Sequence, residues 1–325
     1  MNNAYRNAWP CAATRYAGAM AETQLANAHT AEIGESRLTL RVGTLDAAIG
    51  AMPLARRGAT ASTARRAIII IHGRRRDAPF YADLAATAFC DDAADVMVIA
   101  PQFLTAADIA HHQLPPNSLH WHETGWMQGE HASGPVPISA FAALDHLIDT
   151  LADPSLYPAL KQIIIAGHSG GGQLVQRFAI LSHTPHPVRF IVANPSSYAW
   201  FGPDRPHPAP ISARATHWKY GLDGRPTYGV PLDDAALEQR YIKRDVHYLL
   251  GMRDHDPQHA MLDRSPAAMS QGANRLERGR NFWASLRQRH GAALRHHYLE
   301  IPNIAHEPAK LFADPQAKPI FWPSA

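Results

Sequence analysis

Gln162-Ile163-Ile164-Ile165-Ala166-Gly167-His168-Ser169-Gly170-Gly171-Gly172-Gln173 combines an apolar run with a glycine-framed serine. Ile163 to Ile165 form a β-branched run without charge, long enough for one buried strand and too short for a helix. Gly167, Ser169 and Gly171 then set a serine between glycines spaced two apart, and an apolar helical pattern follows at once in Leu174, Val175, Phe178 and Ala179. A strand, a sharp turn and a helix are expected, with Ser169 at the corner. The placement suits a nucleophile, because a strained corner exposes Oγ and small neighbours let both backbone and substrate approach. The helix behind it aims N-terminal N–H groups toward negative charge developing near Ser169.

With this context the sequence resembles the α/β-hydrolase superfamily, over about residues 65 to 315. The resemblance implies an α/β fold with a mostly parallel central sheet of about eight strands, helices on both faces and a serine triad. It also implies the chain order nucleophile, acid, histidine.

Two further sites carry the resemblance. Ala67 to Ile71 reads as a buried strand ending in His72-Gly73-Arg74-Arg75-Arg76-Asp77. In this superfamily a His-Gly pair there turns the chain toward the nucleophile, so the backbone N–H groups of Arg74 and of Gly170 are the implied oxyanion donors. The arginine side chains themselves read as a solvated loop. Toward the C-terminus, Val246 to Leu250 is another buried strand, followed by Gly251-Met252-Arg253-Asp254. Asp254 matches the family position of the acid; Asp256, in Asp254-His255-Asp256-Pro257, is the alternative and otherwise reads as a turn former before proline. The last strand, Leu294 to Ile301, leads into Pro302-Asn303-Ile304-Ala305-His306-Glu307, and among 20 histidines His306 holds the family position of the base. Asn194-Pro195-Ser196-Ser197-Tyr198 and Gln271-Gly272-Ala273-Asn274-Arg275 are similar to stretches in uncharacterised members, and the second is polar enough to hold the acid loop by hydrogen bonds.

The rest of the chain arranges itself around these sites. Residues 1–34 are an Ala- and Asn-rich arm, and 35–325 form one catalytic domain. Arg37 to Val42 alternates as a half-buried antiparallel edge strand, and Arg56 to Arg66 reads as a loop or hairpin. Ala82 to Phe89 is helical, Asp95 to Ala100 is a buried strand, and Ser139 caps a helix running to about Leu151. Pro187 to Ala193 is a further buried strand. Prolines dominate about 202–243, which is read as a lid excursion.

Between Thr105 and Pro137 lies a long irregular stretch with His111, His112, His120, Trp121, His122, Glu123, Trp126 and His131. His120 and His122 share one face of an extended segment, as a metal site requires. No cysteine joins them, however, and His122-Glu123 is not followed by the helical HExxH spacing. An aromatic wall beside the active site is the reading preferred, so no metal is assigned. Tyr81, Trp121, Trp126, His168, Tyr198 and Trp200 are the candidate substrate-binding residues.

Composition sets the outer bounds. Of 325 residues 46% are hydrophobic and 18% charged, as in globular proteins, and 31 basic against 28 acidic residues leave +3, too little to argue for nucleic acid. No apolar run approaches a membrane span, and the first twenty residues lack a signal-like core, so a cytoplasmic location with free Cys11 and Cys90 is expected. The function expected is a serine esterase that acts on a small or polymeric ester through an acyl-enzyme, without a cofactor. An amidase or peptidase using the same triad is the alternative, followed by a non-catalytic binding protein on the same scaffold and a metal-dependent enzyme built on the histidine-rich loop.

Overall fold

The computed structural model describes residues 29–42, 48–89, 94–206, 214–228 and 231–322. The arm before residue 29, Cys11, Cys90 and parts of the 202–243 excursion lie outside the described residues.

Eight strands build one sheet in the order β1-β2-β4-β3-β5-β6-β7-β8. They are β1 (Ser36–Val42), β2 (Ala48–Gly58), β3 (Arg66–Ile71), β4 (Val96–Pro101), β5 (Gln162–His168), β6 (Val188–Ala193), β7 (Asp245–Gly251) and β8 (His297–Ile301). β2 runs antiparallel to β1 and β4, and every pairing from β4 to β8 is parallel. Parallel strands buried on both faces need continuous apolar runs, and alternate residues of each run enter opposite cores. Ile69, Ile71, Ile163 and Ile165 join one core, and Ile68, Ile70, Ile164 and Ala166 the other.

Nine helices accompany the sheet among the described residues: α1 (Ala78–Phe89), α2 (Ala106–His111), α3 (Ala140–Ala152), α4 (Gly170–Leu181), α5 (Asp234–Tyr241), α6 (Pro266–Met269), α7 (Arg275–His290), α8 (Pro308–Ala313) and α9 (Lys318–Phe321). Leu144, Leu147, Phe178 and Phe282 of α3, α4 and α7 pack into the first core, while Ala82, Leu311 and Phe321 of α1, α8 and α9 pack into the second. Ser139 caps α3 as expected, its Oγ accepting from Ala142 N–H. No helix among the described residues is long and apolar enough to cross a membrane.

Three expectations need correction. The stretch from Thr105 is not irregular throughout, because α2 occupies Ala106–His111 and a 3-10 turn Gly125–Gln128. The polar stretch from Arg56 is not loop at its start, because β2 continues through Gly58 and pairs Arg56 with Ile99. Arg76, read as part of a solvated loop, is buried and left-handed at φ 60°. Its Nε donates to Asp108 Oδ2 at 2.7 Å, and its Nη1 to the Arg74 carbonyl at 3.2 Å. Asp108 also accepts from Thr105 N–H, Thr105 Oγ1 and Thr30 N–H. This buried pair sets the turn that carries Arg74. Asp108→Ala is expected to cost about 3–5 kcal/mol by leaving the Arg76 charge buried and uncompensated. Chemical denaturation of the variant beside the parent checks it, and a loss near zero refutes the assigned role.

Candidate functional site

β3 and β5 are neighbours, so their carboxyl ends bring the 72–77 turn and the 168–170 corner together, where ligands bind in open parallel sheets. Ser169 stands between β5 and α4 at φ 58° and ψ −116°, a conformation that L side chains rarely adopt. Its N–H donates to Ala193 O at 2.9 Å, and its own carbonyl accepts from Gln173 N–H at 3.0 Å.

The glycines around it exist because backbone replaces side chain there. A Cβ on Gly167 would stand 2.4 Å from the Gly171 carbonyl carbon, and one on Gly171 2.3 Å from the Ile71 oxygen. A Cβ on Gly170 would lie 3.3 Å from Arg74 N, so the two backbone positions expected to donate to an oxyanion are neighbours.

His72 holds this turn from beneath. It is fully buried, its Nε2 accepts from Phe103 N–H at 3.0 Å, and its Nδ1–H therefore donates to Gly73 O at 2.8 Å. Burial pushes its imidazole down to about 4, so it stays neutral.

Asp254 and His306, the residues expected as acid and base, meet beyond the ends of β7 and β8. His306 Nδ1 donates to Asp254 Oδ2 at 2.7 Å, which leaves Nε2 as the free lone-pair nitrogen. Asp256 is exposed, and its carboxylate accepts from Gln258 N–H at 2.8 Å, as a turn former does. The His306 ring lies 4.4 Å, centroid to centroid, from that of His168, the residue preceding Ser169. No hydrogen bond joins Ser169 Oγ to His306 among the described residues.

Sequence reasoning did not single out the residue that holds Asp254. Arg275 is buried; its Nη1 donates to Asp254 Oδ1 at 3.2 Å and its Nε to Ser196 Oγ at 2.9 Å. Its Nη2 lies 3.3 Å from His259 Nδ1, and the His259 ring stands edge-on to His306 at 5.3 Å. The only signal in the sequence was the polar density of the Gln271-to-Arg275 stretch. Asn194, at φ 42°, joins the loops of both partners: its Oδ1 accepts from Gly251 N–H at 3.0 Å and its Nδ2 donates to Ala305 O at 3.3 Å.

Of the substrate-binding candidates, Tyr81 and His168 lie at the corner, with Tyr81 Oη 3.3 Å from His168 Nδ1. The Trp126 ring reaches 3.5 Å from the position a Gly170 Cβ would take, and stacks on Phe103 at 5.3 Å. Trp121, Tyr198 and Trp200 are buried in packing: Trp121 on Phe103, Tyr198 and Trp200 on Phe282. His120 and His122 belong to neither cluster of three or more potential metal ligands found among the described residues.

Electrostatics sort the titrating pair. Burial alone would raise the Asp254 carboxyl, but His306 and Arg275 outweigh it and hold the group below the usual carboxylate range. For His306 burial dominates, partly offset by Asp254, and the imidazole falls to about 4. Between about pH 4 and the ordinary value of 6.5 the folded chain binds fewer protons at this ring than the unfolded chain. The stability held by neutral His306 is thus present above 6.5 and is lost as pH falls toward 4. NMR titration of the His306 ring protons is expected to show a midpoint well below 6.5; a midpoint at or above 6.5 contradicts the shielding.

No protein-family model and no curated protein sequence matches the chain. Solved structures do. The poly(aspartic acid) hydrolase-1 of Sphingomonas sp. KT-1 is 22% identical with a TM-score of 0.60, the match covering 86% of this chain and 96% of that one. The poly(3-hydroxybutyrate) depolymerase LpqC of Bordetella parapertussis is 22% identical with a TM-score of 0.59, covering 85% and 87%. At this identity the likeness is one of fold.

Proposed function

We propose that this chain, built on the α/β-hydrolase fold, is a serine hydrolase that cleaves carboxylic esters through an acyl-enzyme. The observation that carries the reading is the Asp254–His306 pair at 2.7 Å, with the His306 ring 4.4 Å from that of His168, the neighbour of a serine held at a positive-φ corner. A neutral hydroxyl is a poor nucleophile and needs a base whose tautomer an anion fixes. Asp254 fixes that of His306 through Nδ1, so Nε2 takes the Ser169 proton as Oγ attacks the acyl carbon. The developing oxyanion is received by the N–H groups of Arg74 and Gly170. His306 then returns the proton to the departing alcohol, and water reverses the sequence to free the acid. The Ser169–His306 contact closes on substrate binding, as catalytic hydrogen bonds of unliganded enzymes commonly do.

Arg275 acts as a positioning residue. It saturates the second carboxylate oxygen, so Asp254 presents only Oδ2 to the histidine. Tyr81, His168 and Trp126 form the wall nearest the acyl carbon. The remaining excursion within 202–243 is the candidate lid, and an ester-linked polymer is a substrate class worth including in any panel, as the name of one fold relative suggests.

Ser169→Ala is expected to abolish ester turnover while leaving the fold intact, and a fluorophosphonate probe is expected to label Ser169 in the parent only. An unlabelled parent that still binds esters would favour a binding protein instead. Asp254→Asn is expected to lower kcat by about 10⁴ through the wrong imidazole tautomer.

Amide hydrolysis is the second reading, because the same triad serves both bonds and another fold relative is named for poly(aspartic acid). Matched p-nitrophenyl ester and anilide substrates separate the two, with faster turnover of the ester expected. The acid limb of kcat/KM for the ester is expected to fall as pH drops toward 4, following protonation of His306. An acid limb centred at 6.5 or above would remove His306 as the shielded base.

A further inference from the structure

His111 and His112, at the end of α2, are brought by the fold to His29, some eighty residues earlier in the chain. The rings of His29 and His111 stack with centroids 3.2 Å apart, and His111 and His112 stand edge-on at 4.8 Å. One nitrogen from each of the three lies within 4.8 Å of the others. We infer that His29, His111 and His112 form a binding site for a divalent transition metal of the zinc class, separate from the hydrolytic centre.

Three features make this more than a group of surface histidines. The first is tautomer control by one carbonyl. His112 Nε2–H donates to Thr30 O at 2.8 Å and leaves Nδ1 as a lone pair; His29 Nδ1 lies 3.3 Å from the same oxygen and leaves Nε2. Ligating histidines commonly donate their other N–H in this way, which orients the ring and raises its basicity.

The second is anchoring. Thr30 N–H donates to Asp108 Oδ1 at 2.6 Å, and Asp108 belongs to α2, whose start is fixed by a capping box between Thr105 and Asp108. The segment that carries His29 is thereby pinned to the helix that carries the other two.

The third is the donor set. Asp108, the carboxylate beside the cluster, is taken up by Arg76, Thr105 and Thr30, so the available ligands are imidazoles alone. A set of three neutral nitrogens suits zinc, nickel or copper and not magnesium or calcium. At metal–nitrogen distances of about 2.0–2.1 Å the three nitrogens must approach to roughly 3.4 Å. Rotation of the exposed His29 and His111 side chains supplies that contraction. The bound ion clips the chain before β1 to α2, and so reinforces the Asp108–Arg76 pair behind the Arg74 turn.

The test is calorimetric titration of the chelator-treated full chain with zinc chloride at pH 7.5, together with thermal unfolding with and without the metal. One zinc per chain and a rise in Tm are expected. The variant His29→Ala/His111→Ala/His112→Ala is expected to bind zinc at least tenfold more weakly and to show no Tm rise over its own metal-free value. His247→Ala/His297→Ala, which removes the other histidine cluster among the described residues, is expected to retain both. The proposal is overturned if the triple variant binds zinc as the parent does, or if zinc binding is lost in the His247/His297 variant instead. Should the triple variant fail to fold, His111→Ala alone replaces it, since that side chain is exposed, and unchanged affinity there overturns the site as well.

Discussion

Backbone packed directly on backbone at the Ser169 corner is the constraint on which the rest depends. Gly167 faces the carbonyl of Gly171, Gly171 faces the carbonyls of Ile71 and His72, and Gly172 faces that of Ala193. A methyl group at any of these positions would meet main-chain atoms that cannot rotate away. This contact draws β3, β5 and β6 together at their carboxyl ends. It also sets Arg74 N beside Gly170 and holds Ser169 in a conformation that costs on the order of 1–3 kcal/mol and persists only because its surroundings over-determine it.

A second layer of organisation is polar and buried. The chain after β6 runs through Ser196, Ser197, Tyr198 and Ala199 without a strand partner, so its amide groups need other hydrogen bonds. Two glutamines supply them. Gln271 accepts from Tyr198 N–H and donates to its carbonyl, and Gln176 does the same for Ala199. Arg278 donates to the Ser196 and Gly272 carbonyls, and Arg275 joins Ser196 to Asp254. Asp254 is therefore held by a network of buried hydrogen bonds, and such networks specify one arrangement more sharply than apolar packing does. The arginines can be buried because carbonyls, hydroxyls and one carboxylate replace their hydration.

Elements were legible where local chemistry and tertiary demand agreed. The isoleucine runs of β3 and β5 left no choice but a buried strand, and Ser139 announced the start of α3. β2 was legible only in retrospect, because Pro53, Arg56 and Arg57 look like loop. The proline is tolerated where β2 exchanges its pairing with β1 for pairing with β4, and Arg57 pairs with Glu35 and Asp83 across the sheet margin. The burial of Arg76 has a related cause: its counter-ion, Asp108, lies 32 residues away, and nothing local reveals it. Trp121, Tyr198 and Trp200 carried the same aromatic signature as the wall residues, and only packing against Phe103 and Phe282 tells them apart.

Local patterns were enough to mark a glycine-framed serine after a buried strand, a His-Gly turn before it, and an aspartate and a histidine after later strands. They are written in neighbouring residues and in the period of burial. Tertiary structure alone decided which partners meet. It paired His306 with Asp254 and not Asp256, placed Arg275 behind that carboxylate, and carried His29 to His111 and His112. The physical reason is that a hydrogen bond or a shared metal depends on positions within a few ångströms, and those are set by the sheet and its loops, not by spacing along the chain.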